Sequence, residues 1–435
     1  MDEMVPRISE EDQLNRFLTH SSQSNNWGLN TARILNAALS AVDPYSAVMN
    51  GLDKAKNLPV FEKGEDCFSA YRTIHLVGAG KAAQPMAEAA QDYFQEKISS
   101  GIIIVKDGYT TNAVLSDRIK IFEASHPIPD QRGINATQEI VNLLQDSKKD
   151  DLVICIFSGG GSALMNNPVP GISLADLQQL TELLLGSGAT INEINTLRKH
   201  LDQVKGGQVA RLAAPAQVLC LILSDVVGDP LDVIASGPTV PDPTTYLDAI
   251  NILKRCAIYE LVPTTIRSHL ELGHLVKIAE TPKPGEEIFN DVSNIIVGSN
   301  QTATQAALVQ AKKEGFNSLC LTNYLQGEAS QVGLYLGSIL RQLALHDQPI
   351  PRPACIIAGG ETTVTIKGDG KGGRNQELAL GSVPELDGLE NVALITLASD
   401  GGDGLSDAAG AAVSYTHLRA HETGRHISYA VFCLK

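Results

Sequence analysis

The sequence predicts an α/β protein of two domains, each a mostly parallel sheet flanked by helices, with the active site in the cleft between them. Three observations predict this. A chain of 435 residues is too long for one compact core. Short apolar runs of strand length alternate with helix-length periodic stretches, the pattern of a parallel sheet covered on both faces. Six of those runs end in glycine- or aspartate-rich loops, GAGK, SGGGS, SDVVGD, GSN, GGET and SDGGDG. In open α/β sheets ligands gather outside the carboxyl ends of the strands, where such loops sit.

Residues 1–28 are polar and expected to be loosely held. The first helix spans Asn30 to Val42, stopping at Asp43-Pro44. Ile74 to Val77 is a buried strand entering Gly78-Ala79-Gly80-Lys81, followed by a helix from Ala82 to Phe94 that tolerates Pro85 in its first turn. Gly101 to Val105 and Ile119 to Ala124 are the next strands, the latter delivering Ser125-His126-Pro127-Ile128-Pro129-Asp130. Leu152 to Phe157 is an unbroken apolar run that breaks into Ser158-Gly159-Gly160-Gly161-Ser162 and then opens a helix. Helices follow over Leu174 to Leu185 and from the capping box Thr190-Ile191-Asn192-Glu193 to Gly206-Gly207, the second carrying Arg198, Lys199, His200 and Lys205.

Val218 to Leu223 is a strand leading into Ser224-Asp225-Val226-Val227-Gly228-Asp229. The proline-rich stretch around 281–290 reads as a linker, separating a domain at 29–280 from a second at 291–412. The alternation restarts with Asn294 to Val297 into Gly298-Ser299-Asn300, a helix over Thr302 to Lys313, a strand at Leu319 to Thr322, and a helix over Ala329 to Leu345. Ala354 to Ala358 enters Gly359-Gly360-Glu361-Thr362, and Val364-Thr365-Ile366 is a short strand. The loop Lys367 to Arg374 precedes a helix starting near Asn375, and Val392 to Leu397 ends in Ser399-Asp400-Gly401-Gly402-Asp403-Gly404.

The formal charge of −15 argues against a nucleic-acid partner or an anionic membrane surface, while leaving room for a small anionic ligand at a local positive site. No apolar run approaches the roughly 20 residues of a membrane helix. Without a signal-like segment or a CxxC pair, and with cysteines inside apolar runs, a cytoplasmic protein is expected. A homo-oligomer is compatible with this composition.

The chemistry follows from the loops. Three glycines in SGGGS remove the Cβ atoms that would hold an anion off the backbone, and a helix start aims N–H groups at one point. Asp225 with Asp229, and Asp400 with Asp403, put carboxylates beside such loops, as magnesium shared with phosphates requires. GAGKAA fits two readings. As G-x-G-x-x-A it matches the Rossmann-like dinucleotide fingerprint, with Asp107 as the ribose acid. As GAGK it puts Lys81 at a helix start facing phosphates. In the glycine-rich loop 368–377, Lys371 and Arg374 offer charge-assisted contacts, and Arg374 suits a transferring phosphoryl group or a carboxylate.

GAGKAA, SHPIPD, FSGGGSALM, INTLRKHLDQVKGG, LSDVVGDPLDVIASGPTVPDPTTY, GGETTV, GKGGRNQELAL and SDGGDGLSDAAGA together resemble the glycerate 2-kinase family, whose C-terminal part is called the MOFRL domain. The resemblance spans nearly everything from Asn30 to Ala412. It implies transfer of the γ-phosphoryl group of ATP to the 2-hydroxyl of D-glycerate, with a divalent cation such as magnesium. Some relatives carry the label hydroxypyruvate reductase, which keeps an NAD(P)H-linked reaction as the alternative; an inactive, binding-only fragment is a third reading.

By position, the family's essential lysine falls on Lys81, its essential arginine on Arg374 and the acid after SD on Asp225. Gly78, Gly80, Ser158, Gly159, Gly160, Gly161, Ser162, Asn300, Gly359, Gly360, Glu361 and Lys371 are then expected to seat the nucleotide. Arg198 and Lys199 suit the glycerate carboxylate, and Asp225, Asp229 and Asp400 are candidate metal ligands. After Ala412 the family pattern stops. Residues 413–435, VSYTHLRAHETGRHISYAVFCLK, resemble translated sequencing-adapter read-through, so the second domain is expected to be incomplete.

Overall fold

A computed structural model describes residues 14–18, 27–61, 67–368 and 370–414 of the chain. The chain divides into two compact units, Pro44–Gly298 and Met1–Asp43 with Ser299–Lys435.

The Pro44–Gly298 unit is built on six parallel strands: β1 (Thr73–Ala79), β2 (Ile98–Lys106), β3 (Ile119–Ala124), β4 (Asp151–Phe157), β5 (Gln217–Leu223) and β6 (Val292–Gly298). Their order is β3-β2-β1-β4-β5-β6. Every residue of β4 is buried, because both faces of the sheet are covered. On one face Leu76, Ile103, Ile154 and Leu221 pack against the helices Pro44–Ala55 and Ala83–Phe94. On the other, Val77, Ile104, Cys155 and Cys220 meet the helices Gln131–Gln145 and Gln208–Ala213. The alternation along each strand therefore sorts one apolar run onto two cores. Helices Leu174–Gly186, Ile191–His200, Tyr246–Arg255 and Thr264–His274 gather around a third core. Three of them start with capping boxes, at Ser173/Asp176, Thr190/Glu193 and Thr245/Asp248.

The expected linker at 281–290 is not one. The Thr281 hydroxyl donates to Asp242 at 2.9 Å, Glu280 meets His200 at 3.2 Å, and β6 then pairs in parallel with β5. Prolines 282 and 284 prevent regular structure there, but side-chain contacts still tie the segment down. The boundary therefore falls after Gly298, and the helix Gly28–Ser40 belongs with the later residues.

In that second unit Ile34 and Ala38 of the helix Gly28–Ser40 pack on Ala303, Ala307 and Ala311 of the helix Asn300–Lys313. Leu14 and Phe17 are buried beside Leu35 and Leu397, so this part of the expected loose N-terminus is packed. β7 (Asn317–Leu325) pairs in parallel with β8 (Ala354–Gly360). The helices Ala329–His346 and Arg374–Leu386 pack closely, Gly333 lying against the carbonyl of Leu378. β9 (Ala393–Leu397) and β10 (Gly410–Ser414) form an antiparallel pair. Val413 and Ser414 pair with Leu394 and Ala393, so structure continues past the expected break at Ala412; residues 415–435, with their three histidines, lie outside the described residues. Val364 to Ile366 form no strand; the chain contributes only a bridge from Thr363 to Glu328. Among the described residues, no helix is long and apolar enough to cross a membrane.

Candidate active site

In the Pro44–Gly298 unit the sheet order reverses between β1 and β4, a switch point of the kind at which open α/β sheets bind ligands, outside the strands' carboxyl ends. Gly78 lies inside β1, where a Cβ would stand 2.4 Å from the Ile156 carbonyl, so close strand packing by itself requires a glycine there. The two loops are tied directly. The Lys81 N–H donates to the Gly159 carbonyl at 2.9 Å and the Ala82 N–H to the Ser158 hydroxyl at 3.0 Å. Gly80 backs onto that same hydroxyl. Ser158 thus positions the lysine loop as well as beginning the glycine loop.

Gly160 carries φ +88°, a conformation that only glycine adopts cheaply. A Cβ on Gly159 would meet the Asp225 carboxylate at 2.1 Å, and one on Gly160 would meet the His126 ring at 3.2 Å and the Lys81 stem at 3.7 Å. Exits from β1, β3, β4 and β5 therefore bring Lys81, His126, the glycines and Asp225 together. The helix expected to open after SGGGS is short. Gly161–Leu164 is a single turn, and the Gly161 and Ala163 N–H groups are spent on the Ser158 and Gly160 carbonyls. So short a helix carries little macrodipole.

The far wall of the loop is locked. The Ser162 hydroxyl lies 2.9 Å from that of Ser236, which donates to Asn195 at 3.0 Å. Asp229, Ala235 and Ser236 all have positive φ, near +54°, +50° and +62°. Three non-glycine residues in this region within one loop cost energy, and such strain clusters at functional sites.

The basic pair in LRKH divides. Lys199 is buried, its ammonium 3.3 Å from Asp232 and 3.5 Å from Asp242, so its charge is engaged within the fold. Arg198 makes no hydrogen bond to a described residue and lines a cavity of about 20 Å³ with Ser162, Asn166, Asp202 and Lys205. Burial pulls its pKa below the usual arginine range, against the nearby Asp202. Lys205 and Asp202, which sequence reading left without a role, form a fully buried pair at 2.9 Å. Lys205 also donates to the Met165 carbonyl at 2.7 Å and to Asn166 at 3.0 Å, anchoring the end of the glycine loop.

In the other unit Asn300 is the first residue of a helix capped by Ser299; its side chain donates to the Asn323 carbonyl at 3.2 Å and packs on Gly359, and its buried Oδ1 has no partner among the described residues. Gly360 is pressed against the backbone of Leu325. The Arg374 guanidinium donates to Glu361 at 2.6 Å and to the Thr362 carbonyl at 3.3 Å. Glu361 therefore holds the arginine. Lys371 is exposed. The acids of SDGGDG separate: Asp400 is exposed and accepts from the Gly402 N–H, whereas buried Asp403 accepts from the Asn375 and Gln376 N–H groups at 3.0 and 2.9 Å, capping the helix Arg374–Leu386.

Asp107 is engaged through both carboxylate oxygens by Arg132, each contact 2.7 Å. That occupies the acid a dinucleotide ribose would need. Among the described residues no group of three or more His, Cys, Asp or Glu side chains is arranged to hold a metal.

Residues 30–271 match the family described as Domain of unknown function (DUF4147), and residues 354–431 match the MOFRL family, the latter running past Ala412. The chain is 42% identical to Glycerate 2-kinase of Pyrococcus horikoshii over 394 residues, 90% of this chain and 87% of that protein. A protein of Agrobacterium vitis carrying a hydroxypyruvate reductase name is 39% identical over 411 residues, 92% and 88% of the two chains. The crystal structure of glycerate kinase from Thermotoga maritima superposes with a TM-score of 0.78 at 40% identity, covering 89% of this chain and 88% of that one. With this fold, these loops and this likeness over nine-tenths of its length, the chain belongs to the glycerate kinase family.

Proposed function

We propose that the protein is a glycerate 2-kinase that transfers the γ-phosphoryl group of ATP to the 2-hydroxyl of D-glycerate. The observation that carries this is the meeting of Lys81, the 158–162 loop and Asp225 at the reversal of strand order. Phosphoryl transfer needs mainly positioning and neutralisation of charge. The glycine loop seats the polyphosphate, Lys81 offsets charge on the transferring group, and Arg374 stands at the position of the family's essential arginine. Arg198 takes the glycerate carboxylate, since a half-buried cation that makes no hydrogen bond to a described residue is costly until an anion completes it. The substrate's hydroxyl oxygen bonds to the γ-phosphorus, the bond to the β,γ-bridging oxygen breaks, and ADP leaves with that electron pair.

Magnesium usually takes only one or two protein carboxylates and completes its shell with phosphates and water. Asp225 and Asp229, on one loop beside the glycines, fit that donor set; Asp225 either holds the ion or orients the hydroxyl. The ion would supply charge neutralisation on the phosphates. Asp400, exposed, is the weaker candidate. The reductase reading is disfavoured by the Asp107–Arg132 pair.

The test is a coupled assay for ATP-dependent 2-phosphoglycerate, with Lys81→Met as control and hydroxypyruvate plus NADPH or NADH in parallel. Turnover abolished by the substitution supports the kinase. A folded protein that makes no phosphoglycerate, or that oxidises NAD(P)H instead, overturns it.

A further inference from the structure

We infer that His126 is a catalytic residue of this reaction, the general base that receives the proton of the acceptor hydroxyl; this rests on the kinase reading above. Its imidazole is the part of the β3 exit that reaches the glycine loop. A Cβ placed on Gly160 would lie 3.2 Å from His126 Cδ2 and 3.4 Å from Nε2, so the Cδ2–Nε2 edge of the ring lies against the loop. The same point is 3.7 Å from the Lys81 stem. An imidazole nitrogen and the lysine thus flank one glycine, where a seated phosphoryl group and its acceptor would meet.

The loop that carries His126 is held at both ends. β3 ends at Ala124, and Asp130 caps the helix Gln131–Gln145 by accepting from the Gly133 N–H at 3.0 Å. The Pro129 carbonyl accepts from Gln178 at 3.0 Å. A side chain on such a support keeps its aim, which proton transfer requires.

The division of labour follows from charge. A carboxylate that ligates a divalent cation loses basicity, so Asp225 is poorly suited to take a proton if it holds the ion. Neutral imidazole, with an ordinary pKa of about 6.5, suits a base working near neutrality. Lys81 from the β1 exit shares Gly160 with His126, and Asp225 lies against neighbouring Gly159; Asp130, on the same loop as His126, is paired with Arg132. In the step, the proton passes from the hydroxyl to Nε2 as the oxygen–phosphorus bond forms, and the imidazolium later releases it to solvent.

The experiment compares wild type, His126→Asn and His126→Gln in the coupled assay from pH 5.5 to 9. We expect kcat to fall by roughly 100-fold or more, with KM for ATP and glycerate nearly unchanged and the acidic limb of the kcat/KM profile abolished. A variant within threefold of wild-type kcat, a loss confined to KM, or a persisting limb overturns the assignment while leaving the kinase reading intact. Wild type without turnover rejects the kinase reading itself, and the base with it. If circular dichroism shows that neither variant folds, carbethoxylation of wild type by diethylpyrocarbonate decides. Modification mapped to His126 with activity retained overturns the assignment, and inactivation tracking that residue and prevented by ATP plus glycerate supports it.

Discussion

The guanidinium of Arg374 donates from Nη1 to Oε1 of Glu361 across 2.6 Å, joining the first turn of one helix to the loop leaving β8. Arg374 also reaches the Thr362 carbonyl, so the β8 exit fixes its direction twice. An arginine on phosphoryl transfer must be aimed before the substrate arrives, because a loose side chain loses rotamer entropy at the moment of reaction.

Glu361→Gln should therefore lower kcat by about 10-fold or more, with the loss of one charge-assisted hydrogen bond as its source. Because the pair is partly exposed, unfolding free energy should change by less than about 1 kcal/mol. Steady-state kinetics beside urea titration separate the two effects. Equal kcat in the variant would mean that Glu361 does not aim Arg374.

Arg198 and Lys199, adjacent in sequence, should respond in opposite ways. Arg198→Met removes a half-buried cation that makes no hydrogen bond to a described residue, so stability should hold or rise while KM for glycerate climbs about 10- to 100-fold. Lys199→Met strips the ammonium from fully buried Asp242 and should cost about 3 kcal/mol of stability, with little effect on KM. The two variants compared by denaturation and by glycerate titration test this; a KM effect for Lys199→Met alone would reverse the assignment.

Glu280 should shape the acid limb of stability. Burial alone would raise its pKa, but hydrogen bonds from His200, the Tyr246 N–H and Lys283 outweigh it and hold the carboxyl at about 2. A carboxylate lowered on folding contributes stability that is whole above its unfolded value near 4.5 and is lost as pH falls toward 2. Urea unfolding of wild type and Glu280→Gln at stepped pH should show a difference that is constant above about pH 5 and shrinks between pH 4.5 and 2. A difference that does not change with pH would assign Glu280 a packing role only.

How much of this was legible depended on the range of the interaction. Leu152–Phe157 announced β4 because a strand covered on both faces needs apolar side chains at every position, and its glycine loop was equally plain. Domain boundaries were not, because Pro282 and Pro284 report local backbone restriction, whereas the Thr281–Asp242 and β5–β6 contacts bridge distant residues. Asp400 and Asp403 are interchangeable in the sequence; only the helix start at Arg374 distinguishes cap from exposed acid. His126 escaped for a related reason. Its significance lies in facing Gly160, 34 positions later, and SHPIPD by itself looks like a proline-bounded turn.

Lys205 and Asp202 offer the sharpest test of what supports the glycine loop. Both side chains are buried, and burial lowers the lysine pKa and raises the aspartate pKa, each opposed by the partner's charge. Removing one partner leaves an uncompensated charge or several unpaired polar groups. Lys205→Met or Asp202→Asn alone should therefore cost about 3–5 kcal/mol. The double variant should recover part of that loss, since the isolated charge disappears, and a double-mutant cycle should return a coupling of about 1–3 kcal/mol. Recovery of stability need not restore activity. Lys205 also donates to the Met165 carbonyl and Asn166, directly after the turn Gly161–Leu164, so the doubly substituted protein should still bind ATP more weakly than wild type. Calorimetry on the refolded double variant reads this, and unchanged nucleotide affinity would confine the pair to core stability.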